Sequence, residues 1–236
     1  MFEPLSASVN PNFPTSRFSP KPAPVVELLG PAGVGKSTLL RLLSQRDNSI
    51  QTRLRLSAAQ YMKWALLLQP NFYRIHNPYR RILWKEMKRI LYLEVLHEAL
   101  QRQASNEPGA IILDEGPIYI LSRLRVFGGD VVDSISFQRW WSTAIKRWAS
   151  TVDAIVWLDA ADPILAFRIR TREQPCPIND QTDSALFKFL ARYRTAFEKV
   201  ITELTAVAGP RVIKFSTDQE SLEQIAERVL LQVGRI

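Results

Sequence analysis

The sequence predicts an α/β fold, a three-layer sandwich in which helices cover both faces of a mostly parallel five-stranded sheet. Short runs rich in valine, isoleucine and leucine alternate along the chain with longer segments whose leucines recur at helical spacing. Such repeated β–α alternation is typical of a parallel sheet enclosed by helices. The 236 residues, 46% of them apolar, are enough to bury one sizeable core without a second folded domain.

The pattern divides the chain into a tail and one domain. Residues 1–23 carry five prolines among serines and asparagines, a composition that buries too little surface to order itself, so we expect a disordered tail. The domain is expected to span residues 24–236. Its five strands are predicted at 25–29, 50–55, 110–114, 153–158 and 211–215. Its helices are predicted at 36–45, 57–69, 79–104, 134–149, 162–172, 183–207 and 219–233.

The composition narrows the class of protein. The net charge of +8 at pH 7 suits a protein that handles polyanions such as nucleotides or phosphorylated small molecules. No apolar run reaches the length of a membrane span, and the first residues lack the layout of a signal peptide. We therefore expect a cytoplasmic protein with no membrane partner, and a homodimer is a possible assembly. Nucleic acid is not expected as a partner, because no known nucleic-acid-binding signature accompanies the charge.

A glycine-rich segment, "VVELLGPAGVGKSTLLRLLS" at residues 25–44, joins the first strand to the first helix. Its spacing fits G-x-x-x-x-G-K-[ST], the pattern of a phosphate-binding loop (P-loop), in which backbone N–H groups surround an anion. The helix that follows directs its dipole at the same anion. The motif predicts that a nucleoside triphosphate, ATP, is held by Gly30, Ala32, Gly33, Val34, Gly35, Lys36, Ser37 and Thr38. The alternative is a glycine-rich turn with an idle lysine.

Two side chains of this loop are expected to act in chemistry. Lys36 would reach the β- and γ-phosphate oxygens, and the Ser37 hydroxyl would be a ligand of Mg²⁺. We therefore predict Lys36 as a catalytic residue and Ser37 as a metal ligand.

A second candidate element follows the strand "AIILDEGP", which ends in Asp114 and Glu115. In a parallel sheet the ligand lies beyond the carboxyl ends of the strands, so both carboxylates are expected beside the P-loop. One of them would bind Mg²⁺ and one would accept a proton from an attacking hydroxyl, in an order that the sequence leaves open. Asp114 is the predicted metal ligand of the pair. The alternative is that Asp114 caps a turn, since D-E-G-P is also good turn chemistry.

The chain resembles the thymidylate kinase and deoxynucleoside kinase branch of the P-loop kinases. The layout is similar over residues 24–233, and four segments carry the resemblance: "GPAGVGKST", "LDEGP", "VDAIVWLDAADPILAFRIRTR" and "VIKFSTDQESLEQIAERVL". It implies that residues 168–183 form a lid with catalytic arginines Arg168 and Arg172, which lie four apart on one helical face. It also implies that the loop after the last strand borders the adenine. The alternative for the arginines is a solvated basic face.

The sequence also departs from this family. An arginine normally follows the acidic motif, whereas Gly116 follows Glu115 here, so Arg123 and Arg125 are the candidates to replace it. The family's Arg-Glu-Pro segment after the second strand is absent, and we therefore do not expect thymidylate as the acceptor.

Residues 57–104 are predicted to form a helical region on the acceptor side of the site. The segment "YMKWALLLQPNFYRIHNPYRRILWKEMKRILYL" mixes aromatic rings with basic residues, which would supply stacking surface and positive charge for an anionic or nucleoside-like small molecule. An ordinary amphipathic helix pair, with Trp84, Met87 and Leu91 in the core, explains the same pattern.

The sequence thus favours an ATP- and Mg²⁺-dependent kinase of a small molecule, with nucleosides or nucleotides as the expected acceptors. A GTPase is disfavoured because no N-K-x-D segment is present, and a transporter-type ATPase because no L-S-G-G-Q-like signature is present. The alternative is a regulatory or assembly ATPase that binds the nucleotide and transfers little or no phosphate.

Overall fold

The computed structural model describes residues 23–75, 84–104, 109–172 and 182–234 of the chain. In these ranges the elements follow one another as β1 (Val25–Leu29), α1 (Lys36–Arg46), α2 (Ala58–Ile75), α3 (Trp84–Ala104), β2 (Ile111–Asp114), α4 (Pro117–Phe127), a 3₁₀ helix (Gly129–Asp133), α5 (Ile135–Thr151), β3 (Ala154–Asp159), α6 (Asp162–Arg170), α7 (Asp183–Thr205), β4 (Arg211–Ser216) and α8 (Leu222–Val233). The predicted tail, apart from Ala23, lies outside the described residues.

The sheet is parallel throughout, in the order β2-β1-β3-β4. Side chains alternate between its two faces, so that Val25 and Leu29 of β1 pack with α2, α3, α4, α5 and α7. On the other face Val26 and Leu28 pack with α1, α6, α8 and the start of α7. The α/β three-layer prediction is confirmed. None of the described helices is both long enough and apolar enough to span a membrane.

The strand count differs from the prediction by one, because the described residues form four strands instead of five. Of the predicted strand at 50–55, Gln51 alone pairs with the sheet, through an isolated bridge to Ile111 at the β2 edge. Arg53 and Arg55 are exposed, so the run has little apolar surface with which to extend the pairing.

A helix was missed where the sequence suggested a turn. The motif D-E-G-P begins α4, with Gly116 as its N-cap and Pro117 at its first position. Proline is favoured there, because the missing N–H would have no partner inside the helix and its φ is already helical.

The order of the strands fixes where a ligand can bind. The chain leaves β1 for β2 on one side and later reaches β3 on the other side. In such sheets the crevice outside the carboxyl ends, where the connections diverge, is the general binding site. The P-loop, which follows β1, and Asp114, which ends β2, both lie at this edge.

Candidate active site

The P-loop, residues 30–37, has the backbone that its glycines allow. Gly35 precedes α1 in a left-handed conformation with φ 98°, which costs an L-residue energy but not glycine. A Cβ on Gly30 would lie 2.3 Å from the carbonyl oxygen of Leu158. The loop therefore passes against β3 at a distance that only glycine permits.

The Lys36 side chain lies over this loop. Its Nζ donates hydrogen bonds to the carbonyl oxygens of Gly30, at 2.8 Å, and Pro31, at 3.2 Å. Burial lowers the pKa of the Lys36 ammonium, while the charges of Asp114 and Glu115 act in the opposite direction. The lysine is thus held at the mouth of the loop, beside both acids of the second motif.

The two predicted metal ligands, Ser37 and Asp114, are in direct contact. The Ser37 hydroxyl donates a 3.0 Å hydrogen bond to Oδ2 of Asp114, while Oδ1 of Asp114 is buried without a hydrogen-bond partner. The described residues contain no cluster of three or more His, Cys, Asp or Glu side chains that could hold a metal. This donor set fits Mg²⁺, which usually takes one or two protein oxygens and fills its shell with phosphate and water.

Glu115 occupies a different environment from its neighbour. It is exposed to the cleft and has a left-handed backbone with φ 57°, a conformation uncommon outside glycine and often found at functional sites. Unlike Asp114, it is not bonded to the P-loop in the described structure. Its carboxylate is open to a ligand in the cleft.

The two predicted lid arginines differ in their contacts. Arg168, on α6, donates to the hydroxyl and the carbonyl oxygen of Thr217, each at 2.9 Å. Arg172 is exposed and lies near enough to Lys36 for its charge to lower the pKa of that ammonium, after the larger effect of burial. Both line the cleft with the P-loop. Residues 173–181 of the predicted lid lie outside the described residues.

Glu27 is a site-forming residue that the sequence analysis did not identify. It lies in β1 with no exposed surface, and its two carboxylate oxygens accept hydrogen bonds of 2.8 Å from the backbone N–H groups of Ile118 and Tyr119. These groups belong to the first turn of α4, where no intrahelical partner is available. Burial raises the pKa of Glu27 to about 8, against the lowering effect of the two hydrogen bonds. A lone acid in the apolar run "VVELL" was the signal.

Glu27 also limits the residue at position 116. A Cβ on Gly116 would lie 2.7 Å from Cδ of Glu27. A larger residue there would require the buried, hydrogen-bonded carboxylate of Glu27 to shift.

The cleft extends from the P-loop to a group of aromatic rings, and the volume of the whole cleft is about 750 Å³. The pocket lies between α4 and α7, and the ring of Tyr193 is in contact with the three others: Tyr119 at 6.1 Å, Phe127 at 6.0 Å and Phe189 at 4.9 Å between centroids. Aromatic walls of this kind suit a flat acceptor. No member of this cluster was predicted.

The structure distinguishes Arg123 from Arg125. Arg123 lines the cleft, lies 5.2 Å from the Phe127 ring centroid and donates to the Tyr119 hydroxyl at 3.2 Å. Its Nε is buried without a hydrogen-bond partner. Arg125 forms an ion pair with Glu203 and lies 4.4 Å from the Trp141 ring. Of the two candidates, Arg123 alone faces the site.

The helical region at 57–104 contains the two helices α2 and α3, with residues 76–83 outside the described residues. Met87 and Leu91 pack against the core, as in the amphipathic interpretation. Tyr92, also of α3, lies close to the site: burial raises its pKa, and the charges of Tyr61, Glu27 and Glu115 raise it further. The described part of the region therefore contributes to the core, and Tyr92 lies within electrostatic range of Glu115.

Comparison with known proteins bears on the fold. No known family matches the sequence, and no curated protein is significantly similar to it. Among solved structures, the deoxyadenosine kinase from M. mycoides is similar with a TM-score of 0.52 and 13% identity, over 90% of this chain and 100% of that one. The YorR protein from Bacillus subtilis, solved in complex with phosphorylated GDP, is similar with a TM-score of 0.51 and 18% identity, over 89% and 95% of the chains.

These identities are low, so the likeness concerns the arrangement of the elements. The chain has the fold of the P-loop kinases, of the nucleoside and nucleotide kinase-like type.

Proposed function

We infer that the protein is an ATP- and Mg²⁺-dependent phosphotransferase that acts on a small molecule. The observation that carries this inference is the contact of Ser37 with Asp114 beside the P-loop, in a cleft that extends from that loop to a wall of aromatic rings. The P-loop end of the cleft suits a triphosphate and the ring-lined end suits an acceptor. A nucleotide switch would need only the P-loop end.

Different residues of the cleft would bind the metal, stabilise the transferring phosphoryl group and accept the proton. Ser37 and Asp114 would hold Mg²⁺, which when bound neutralises charge on the β- and γ-phosphates. Lys36 and Arg172 supply positive charge beside the transferring group. The acceptor hydroxyl oxygen bonds to the γ-phosphorus while the bond from that phosphorus to the β–γ bridging oxygen breaks. Glu115 takes the hydroxyl proton, because it is exposed to the cleft, and ADP leaves.

The acceptor pocket favours a molecule with a flat ring. Tyr119, Phe127, Phe189 and Tyr193 offer stacking surface, and Arg123 offers positive charge between that surface and Glu115. Nucleosides and nucleotides combine a ring with polar or anionic groups and therefore match this surface. The loop carrying Thr217, together with Leu222, lines the opposite end of the cleft, where we place the adenine of ATP.

A second function, a regulatory or assembly ATPase with weak or no transfer, is favoured by one observation. The acidic motif lacks the arginine that follows it in the kinases that the sequence resembles, and a side chain in place of Gly116 would have to displace the Glu27 carboxylate. The two functions differ in the fate of ATP when an acceptor is added.

The test is a measurement of ADP release from Mg·ATP with a panel of nucleosides, nucleoside monophosphates and phosphorylated sugars. The proposal expects at least one acceptor to raise ADP release well above the rate with ATP and water alone. Lys36→Ala serves as the matched control and should abolish the increase. If no acceptor changes a slow basal rate, the regulatory function replaces the proposed one.

A further inference from the structure

Among the described residues, the outer face of α2 carries large apolar side chains that no other element covers. Gln60, Trp64 and Leu68 form its inner face and are buried or half-buried. On the outer face Met62 and Leu66, one turn apart, are each 66% exposed, and the neighbouring Leu67 is 55% exposed. A helix that is apolar on both faces is normally covered on both.

The exposed large apolar side chains of the described residues are concentrated in α2. Of the eight large apolar side chains that are exposed in the described part of the chain, three lie within these six residues, and the other five are scattered over five other places in the chain. Single exposed apolar residues are ordinary, whereas a contiguous patch marks an interaction surface. We define Met62, Leu66 and Leu67 as the α2 patch.

The charge around the patch indicates its partner. From Asn48 to Leu68 the sequence holds no aspartate or glutamate, whereas Arg53, Arg55 and Lys63 are all exposed. Lys63 pairs with Glu98 of α3, which leaves the two arginines as the charges that can attract an anionic surface. Exposed apolar side chains accompanied by basic residues are typical of helices that lie on anionic bilayers.

We propose that the α2 patch docks on the surface of an anionic lipid bilayer, with Met62, Leu66 and Leu67 entering the boundary between headgroups and acyl chains. Arg53 and Arg55, both exposed and directly preceding α2, attract the anionic headgroups. The helix lies in the plane of the bilayer and does not cross it.

Two other partners fit less well. A second copy of the chain would bring the same basic stretch opposite itself in a two-fold interface, and like charges would repel. Nucleic acid is bound through phosphate contacts from basic and polar groups, which give no role to one methionine and two leucines. A bilayer satisfies the apolar and the basic residues together.

The test is sedimentation of the full chain with vesicles. Vesicles of phosphatidylcholine alone are compared with vesicles of equal parts phosphatidylcholine and phosphatidylglycerol. The proposal expects binding to the second kind only, weakened by added salt. The triple variant Met62→Gln/Leu66→Gln/Leu67→Gln should bind at least ~10-fold more weakly, since these three side chains supply the apolar surface that leaves water on binding. Arg53→Gln/Arg55→Gln should also weaken binding.

The matched control is Ile135→Gln/Leu231→Gln, which removes two apolar side chains of similar exposure elsewhere and should leave vesicle binding unchanged. Melting temperatures of all variants show that they fold. Absence of binding to anionic vesicles would overturn the proposal, and so would binding that survives the triple variant. A dimer that dissociates in the triple variant, without vesicle binding, would assign the patch to self-association. Oligonucleotide binding with the same dependence, again without vesicle binding, would assign it to nucleic acid.

Discussion

The buried carboxylate of Glu27, in the middle of β1, accepts a 2.8 Å hydrogen bond from the backbone N–H of Tyr119, 92 positions later in the chain. Together with the bond from Ile118, it replaces the side-chain cap that Gly116 cannot provide to α4. This helix carries Tyr119, Arg123 and Phe127 into the cleft. A strand next to the P-loop therefore fixes the wall of the acceptor pocket.

Glu27 should make stability depend on pH. Its pKa rises from 4.5 to about 8 on folding, so between these values the folded state holds more protons than the unfolded state, and stability falls as pH rises. Glu27→Gln cannot titrate and should show a smaller fall across this window. The measurement is the free energy of unfolding in urea at several pH values from about 4.5 to about 8. Glu198→Gln, at an exposed position of α7, should keep the wild-type slope. If the free energy of unfolding of Glu27→Gln fell with pH as steeply as that of the wild type, the raised pKa of Glu27 would be contradicted.

Asp114 and Glu115 should respond differently to the same chemical change. Asp114→Asn should raise the Mg²⁺ concentration needed for half-maximal turnover, because it alters the carboxylate that contacts Ser37. Glu115→Gln should lower kcat by ~10² or more with little change in the KM for ATP, as expected for the loss of a general base. Steady-state kinetics over a range of Mg²⁺ separate the two effects. Normal turnover in both variants would place the catalytic carboxylate elsewhere.

The arginines in and directly after α6 provide their own control. Arg172→Ala should slow turnover by ~10² or more, since charge directed at a developing anion in a closed site contributes a few kcal/mol. Arg168→Ala should slow turnover and also raise the KM for ATP, because its guanidinium holds Thr217. Arg170→Ala on the same helix, where Arg170 pairs with Asp183, should leave turnover near the wild-type rate. Equal, small effects of all three changes would indicate a solvated basic face.

Proteolysis of the segment 168–183 tests whether it acts as a lid. Limited proteolysis of the segment 168–183 should slow when Mg·ATP is added, if the segment closes over the nucleotide. Cleavage that is independent of Mg·ATP would contradict the lid.

Arg123 should act on the acceptor and not on ATP. Arg123→Ala removes the guanidinium that lies between Tyr119 and Phe127, so the KM for the acceptor should rise at least ~10-fold while that for ATP stays constant. Arg125→Ala is the matched control two positions away. It removes the ion pair to Glu203 and should lower the melting temperature without changing either KM. The reverse pattern would assign Arg125 to the site.

Much of the fold could be predicted from the sequence because its elements have strong local signals. The P-loop spacing fixes a strand, a turn and a helix at once, and the bounds of α1, β3 and α7 lie within two residues of the prediction. The predictions that were wrong concern segments whose sequence gives only a weak indication of their secondary structure. Gln51 pairs at a sheet edge, where tertiary contacts decide pairing, and α4 begins in residues that favour turns equally well.

The part of the candidate site that the sequence could predict consists of side chains that follow directly on a strand of the parallel sheet. The proximity of Ser37 to Asp114 follows from the sheet, since the P-loop and Asp114 both lie at its carboxyl edge. The ring pocket does not follow, because Tyr119 and Tyr193 come from helices far apart in sequence whose contact depends on packing. Glu27 has a signal, an acid in a buried strand, but its partner on α4 could not be located without the fold.

The central claim is that the γ-phosphoryl group of ATP passes to a small molecule in the cleft. It is tested most directly with ATP labelled in the γ-phosphoryl group, after acceptors that raise ADP release have been found. We expect the label to appear on the organic acceptor in amounts equal to the ADP formed, and we expect Lys36→Ala, folded like the wild type, to form neither product. Label found only in inorganic phosphate, at a rate that no acceptor changes, would contradict it.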